Sequence, residues 1–229
     1  MSPRATSATG VRRADQLPAG RHGLSREVVT GHQRERILRA ILDVTSVAGY
    51  ARCSVEDVIA TAGVSRRTFY DLYPNKQAAF LAAYDDAVAA LERAMLAAFS
   101  TGDGIVERTV RALETLAERL AGDPAMTEAC VVEALAAGSE AVARRDATMR
   151  QLARLIDRGV TLSLGRAPSP LTAEAIAGGI HEIVYARAVR GELAQLRAAV
   201  PDLVYAIFLP YAGSERADAA RAMAQAART

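Results

Sequence analysis

From about His32 the apolar positions Ile37, Ile41, Val44 and Ala48 fall on one stripe at helical spacing, and Gly49 follows as a C-cap. Val55, Val58, Ile59 and Ala62 repeat that spacing over a shorter second helix. Ser54 stands where its N-cap belongs, with Asp57 three residues on in a capping-box arrangement. Gly63 supplies the residue that takes a positive φ, so the chain turns sharply there. Ser65 then caps a third helix with apolar Phe69, Leu72 and Tyr73, and Pro74 ends it. Helix, short glycine turn, helix is the pattern of a helix-turn-helix, whose second member lies in the DNA major groove. Lys76 opens a long fourth helix with Phe80, Tyr84, Val88, Leu91 and Met95 on one face.

Beyond the loop signal Gly102-Asp103-Gly104, the pattern predicts helices at 104–121, 124–137 and 139–164, with Asp123-Pro124 as a cap and first-turn proline. Arg166 to Pro170 breaks the chain, and Thr172 and Glu174 open a helix reaching Gly191. Gly178 and Gly179 sit inside that helix, where each glycine costs about 1 kcal/mol against alanine. A close approach of another backbone would offset the cost. After Pro201, Leu203 to Leu209 is apolar nearly all round and is expected to be buried on more than one side. The predicted architecture is all-α: a three-helix DNA-binding domain at 31–77 and a helical bundle at 78–213. Residues 1–30 read as a disordered basic arm and 214–229 as a tail or short helix.

The third helix carries the candidate chemistry. Arg66, Arg67 and Thr68 occupy its first turn, which reaches base edges in such motifs. Arginine bridges guanine O6 and N7, and threonine bonds a base or meets a thymine methyl. Tyr70 and Lys76 suit phosphate contacts. Ser54, Val55, Glu56, Ser65 and Tyr73 complete the expected DNA-facing set. Arg4, Arg12, Arg13, Arg21 and Arg26 could follow the DNA backbone from the arm, or the arm could be an inert tail. Charge is uneven: the first 80 residues hold twelve basic and seven acidic residues, a balance of +5 within a chain of net +2. A basic head on an acidic body fits a DNA-binding part joined to a separate effector part.

The runs Gly49-Tyr50, Ser54-Val55, Ala62-Gly63-Val64-Ser65, Thr68-Phe69-Tyr70, Tyr73-Pro74-Asn75-Lys76 and Phe80-Leu81 resemble the DNA-binding domain of TetR-family regulators over roughly residues 32 to 84. Arg67, Asp71 and Leu72 depart from the residues common there, which bears on the operator sequence and not on the fold. The segment from Pro201 to Gly213, with Leu209-Pro210-Tyr211, resembles a common family ending. The resemblance implies a homodimer paired by a four-helix bundle, with Ile176, Gly179, Ile180, Ile183, Val204 and Phe208 at the interface. An ordinary intrachain core is the other reading of those residues. It also implies double-stranded DNA with a palindromic operator as partner, repression relieved by a small-molecule effector, and a fourth helix that carries motion to the head.

Other classes find little support. Two cysteines, Cys53 and Cys130, give neither a disulfide framework nor a zinc spacing. Cys53 next to a helix start leaves a redox switch as one alternative. Three histidines, His22, His32 and His181, build no two-histidine metal motif, and no P-loop, dinucleotide fingerprint or serine elbow occurs. No catalytic residue, metal or cofactor is expected. Without an apolar run of eighteen residues or a signal-like N-terminus, the chain reads as cytoplasmic with no membrane partner. A pocket between body helices is expected to be lined by Phe99, Met126, Cys130, Met149, His181 and Tyr185, for a mostly apolar effector; plain core is the alternative for each. A regulator without a small-molecule ligand, or a helical binding module that only mimics a DNA reader, are the competing functions.

Overall fold

A computed structural model describes residues 26–164 and 168–227, and within them the chain is all-α. The helices run α1 Arg26–Ala48, α2 Val55–Ala62, α3 Arg66–Leu72, α4 Lys76–Phe99 and α5 Ile105–Gly122. They continue as α6 Pro124–Thr127, α7 Ser139–Leu164, α8 Pro170–Val189, α9 Leu196–Ala212 and α10 Ser214–Ala226. Helices α1 to α3 form the head and α4 to α10 the body.

Helix α1 begins inside the stretch read as a disordered arm, so Arg26 to Thr30 are helical. The rest of that arm, with Arg4, Arg12, Arg13 and Arg21, lies outside the described residues. The segment expected as one helix over 124–137 is broken into three. Helix α6 opens into a wide π turn at Glu128–Val132, and a tight 3₁₀ stretch succeeds it at Glu133–Ala137. A wide turn carries one extra residue and shifts the register of the residues after it. Helix α9 starts at Leu196 and runs through both Pro201 and Pro210, whereas Pro201 reads in sequence as a beginning. Each proline leaves one carbonyl of the ladder without its N–H, a cost that burial of the surrounding apolar side chains outweighs.

Two apolar cores organise the chain. One gathers Ile37, Ile41, Val58, Phe69 and Phe80 from the head and the start of α4, and extends to Ala129, Cys130, Ala134 and Ala141. The other gathers Val110, Leu113, Val160, Ile180, Val204 and Phe208. Three residues expected at a dimer interface, Ile180, Val204 and Phe208, are therefore buried within the subunit. Helices α5 and α10 pack on α9 from two sides, and an all-round apolar pattern does not announce which face they leave free. Leu193–Ala212, 20 residues with a mean hydropathy of 1.2, is long and apolar enough by composition to cross a membrane, although Gln195, Arg197 and Asp202 interrupt it, so it is not a continuous apolar run. Its apolar residues pack into the second core. Helix α10 closes the same core through Ala217, Ala220 and Ala224, so this C-terminal helix belongs to the body.

Candidate DNA interface and effector cavity

The head is built by short polar contacts at helix ends. The Ser54 hydroxyl accepts from the Asp57 N–H at 3.2 Å, and the Asp57 carboxylate accepts from the Ser54 N–H at 3.2 Å, closing the capping box. The Ser54 hydroxyl also donates to that carboxylate at 2.5 Å, and these bonds hold the Asp57 carboxyl below its usual range. Gly63 takes φ 61° and ψ 39° and donates its N–H to Ile59. Arg36 of α1 donates to the carbonyls of Ala62 and Gly63, placing a cation on the C-terminal end of α2. The turn is thereby held from three sides. Ser65 caps α3 by accepting from the Thr68 N–H at 3.0 Å, while the two hydroxyls pair at 2.8 Å.

On this frame α3 turns one side inward and another outward. Phe69 is fully buried, with Tyr70 edge-on against it at 5.4 Å between ring centroids. Arg66, Arg67 and Tyr70 are exposed, and Thr68 is half-buried. Arg66 pairs with Glu56 of α2, so two residues expected on the DNA side hold each other across the turn. Arg67 reaches solvent, with Asp71 at 3.7 Å. Ser54 and Val55 are half-buried at the start of α2. Two of the expected DNA contacts face inward instead. Tyr73 is buried, and Lys76 donates to the carbonyls of Tyr50 and Cys53 at 2.8 Å each, with its ammonium 4.2 Å from the Tyr50 ring centre. Both hold the head together, and near a helix start the sequence pattern alone does not separate that role from phosphate binding.

In the body, α4, α5, α7 and α8 surround a cavity of about 210 Å³ with walls almost entirely of carbon. Phe99, Met126, Cys130, Met149 and His181 line it; Tyr185 does not. The far end holds Met95, Phe99, Ile105 and Gly159. Toward the head lie Tyr84, Thr148 and His181, with the Tyr84 hydroxyl 3.5 Å from that of Thr148. Burial, and then the charge of Arg145, holds His181 below its ordinary pKa. Sequence reading missed Thr148 and Arg145 because both sit on the mixed polar face of α7.

The segment from Asp123 to Ala137 touches both regions. Met126, Cys130 and Val131 line the cavity. Asp123 caps α6 through the Met126 N–H at 3.0 Å and pairs with Arg39 of α1. Glu133, beyond the wide turn, accepts from the Tyr50 N–H of the head at 2.8 Å. The Ala137 carbonyl accepts from Gln77 of α4 at 3.0 Å. Cys130 is buried in apolar surroundings that push its thiol up to about 12, and burial also raises Cys53. Burial thus disfavours the thiolate form at both cysteines.

On the outer side of α8, Gly178 and Gly179 are exposed, and a Cβ built on either meets nothing within 4 Å. Leu171 and Val189 on α8, Leu209 on α9 and Met223 on α10 are exposed as well. Ile176 and Ile183 are half-buried.

A sequence model of bacterial regulatory proteins of the tetR family matches residues 37–83. No curated protein matches the chain. Among solved structures, the fatty acid degradation regulator FadR from Bacillus halodurans superposes with a TM-score of 0.70 at 16% identity, over 79% of this chain and 95% of that one. FadR from Bacillus subtilis in complex with stearoyl-CoA gives 0.67 at 18% identity, over 78% and 98%. A TetR-like transcriptional regulator from Rhodococcus sp. RHA1 gives 0.65 at 22% identity, over 83% and 99%.

Proposed function

We infer, from a chain that belongs to the TetR family of bacterial regulatory proteins through its DNA-binding head, that it is a homodimeric repressor whose hold on a palindromic operator is released by a small, mostly apolar effector. The observation that carries the ligand response is the double contact of residues 123–137. Their one side lines the apolar cavity and their other side holds α1 and Tyr50 through Asp123 and Glu133. A molecule that fills the cavity works against Met126 and Cys130. Any shift there is felt at the two polar contacts that seat the head. The effector acts only through its difference in affinity between the DNA-competent and the released arrangement.

DNA reading falls to Arg66, Arg67, Thr68 and Tyr70, with Ser54, Val55 and Ser65 toward the backbone. Glu56 has to let go of Arg66 for that arginine to reach a base. Pairing of two subunits through the outer side of α8 and α9 is supported by the two mid-helix glycines, which nothing inside the subunit requires. Two recognition helices in successive major grooves set half-sites about 34 Å, or a multiple, apart. For the effector, an acyl chain fits the carbon-lined walls, and FadR from Bacillus subtilis is a relative in fold that holds stearoyl-CoA.

Selection of random duplexes by the purified protein at two salt concentrations tests the reading. A two-fold motif that survives moderate salt and disappears in the Arg66→Ala/Arg67→Ala double variant is the expected result. Weak binding to every duplex that vanishes as salt rises would leave backbone electrostatics alone and overturn it.

A further inference from the structure

The polar atoms around the cavity are not scattered. Tyr84 and Thr148 meet at 3.5 Å, Arg145 lies one turn before Thr148 on α7, and an Arg145 N–H faces His181 Nδ1 at 3.5 Å. The guanidinium thus stands beside His181, where its charge acts with burial to lower that ring's pKa. Among the described residues the one acid on the cavity wall is Glu92, which stands eight residues further along α4, about 12 Å away at 1.5 Å per residue, and accepts from Gln151. The far end beyond it is apolar apart from the Thr109 hydroxyl, which donates to the Ile105 carbonyl.

Arg145 is underused where it stands. Its Nε is buried and has no hydrogen-bond partner, and its carboxylate neighbour is the adjacent, partly exposed Asp146 at 3.3 Å. A buried donor without a partner is uncommon and costs free energy, so it points to a group that completes it. With a cation facing Nδ1, a neutral His181 ring accepts there and carries its proton on Nε2 as a donor. Tyr84, Thr148 and His181 thus stand on the wall at one end of an apolar cavity with Arg145 behind His181. The Tyr84 hydroxyl donates to Thr148 and the Thr148 hydroxyl to the Arg144 carbonyl at 3.0 Å, which leaves His181 Nε2 and the buried Arg145 Nε as the donors to be matched.

Building on the cavity reading above, we propose that the Tyr84–Thr148–Arg145–His181 end is a carboxylate subsite, and that the effector is an apolar monocarboxylic acid with its head group toward the DNA-binding domain and its chain along α4 toward Phe99. Tyr84 and Cys130 belong to the core that also holds Phe69 and Phe80, so a head group seated here bears directly on the part of the body that supports the recognition helix.

Calorimetric titration of the full chain with dodecanoate, dodecan-1-ol and dodecanoyl-CoA tests this. Dodecanoate should bind about tenfold or more tighter than the alcohol, since a charge-assisted hydrogen bond is roughly twice as strong as a neutral one. His181→Leu and Arg145→Gln should each bring that ratio to about threefold or less while leaving the alcohol's affinity nearly unchanged, and Arg145→Lys should restore most of it. Unchanged alcohol binding also shows that the variants are folded. Equal binding of acid and alcohol to the native chain, or a ratio that survives both variants, overturns the subsite and leaves the cavity reading intact. Tighter binding of the thioester, lost in the same variants, overturns the carboxylate form. Failure of all three probes to bind overturns the cavity reading and the subsite with it.

Discussion

In the head and at the start of α4, three successive helices begin at a side-chain cap: Ser54 for α2, Ser65 for α3 and Asn75 for α4. Further into the body the starts are mixed: Asp123 and Ser169 cap α6 and α8, while α5, α9 and α10 begin with no side-chain cap, at Gly104, Gln195 and Gly213. The two regions thus differ in how consistently their helix starts are capped. A cap is worth about 1 kcal/mol and fixes a boundary from within four residues of chain. An uncapped helix takes its limits from what it packs against, and packing of that kind tolerates unfilled space between helices. A DNA reader needs side chains aimed within fractions of an ångström, whereas an effector cavity needs room. Each region has the specification its task requires.

The largest effect should come from removing the centre of the head. Phe69→Ala deletes a fully buried ring between α3 and the rest of the first core. The loss should be about 3–5 kcal/mol, read by denaturant unfolding, with specific DNA binding lost at the same time. If body and head are specified as separately as their caps imply, dodecanoate should still bind the variant under conditions where the native chain is stable. Loss of ligand binding in step with DNA binding would show that the shared residues Ala129, Cys130 and Ala134 make one cooperative unit of the two.

The same contrast explains what was legible in the sequence. The turn from Ser54 to Pro74 was readable residue by residue because its determinants are local: a hydroxyl, an acid three residues on and a glycine at positive φ. Arg36 was not readable, since the carbonyls it clamps are 26 and 27 residues away and only folding brings them near. In the body, five of six residues chosen for size and softness do line the cavity, because large flexible apolar side chains on inward stripes face whatever space exists. Tyr185 shares that stripe only in projection. The outer side of α8 and α9 was read poorly for a related reason. A helix apolar all round gives no phase, so Val204 and Phe208 looked as available as the exposed Ala206 and Leu209. The π turn at Glu128–Val132 has no sequence signature in Glu-Ala-Cys-Val-Val.

A smaller change of opposite sign would sharpen the contrast in the body. Gly159 lies inside α7 on the cavity wall, and an added Cβ would sit 3.7 Å from Phe99 and 3.9 Å from Ile105, ordinary contact distances. Gly159→Ala should therefore stabilise the chain by up to about 1 kcal/mol through helix propensity. It should also take volume from the far end of the cavity and weaken dodecanoate binding severalfold, while leaving DNA binding alone. Thermal unfolding and titration on one preparation read both. A variant that gains stability without losing affinity would place the chain elsewhere in the cavity.

The smallest effect concerns the acid of the capping box. Asp57 is exposed, and the Ser54 hydroxyl and N–H hold its carboxyl below the usual carboxylate range. A depressed folded pKa contributes stability that is present above the unfolded value, about 3.9, and is lost as pH falls through the folded one. Asp57→Asn keeps an oxygen that accepts from Ser54 but removes the charge near the start of α2, where a negative charge is favoured. The variant should melt slightly below the native chain at pH 7, and the gap should close as pH drops below about 3.9. Glu107 in the first turn of α5 is the counterpart in the body: Arg111, and then the Asp103 N–H, lower its carboxyl in the same way. Its helix has no cap to lose, so Glu107→Gln should move the melting curve while leaving the DNA-binding midpoint where it was. Asp57→Asn should move both, because a frayed first turn of α2 releases Glu56 and with it the ion pair that orients Arg66. Equal effects of the two substitutions on DNA binding would mean that local capping does not set the aim of the recognition helix.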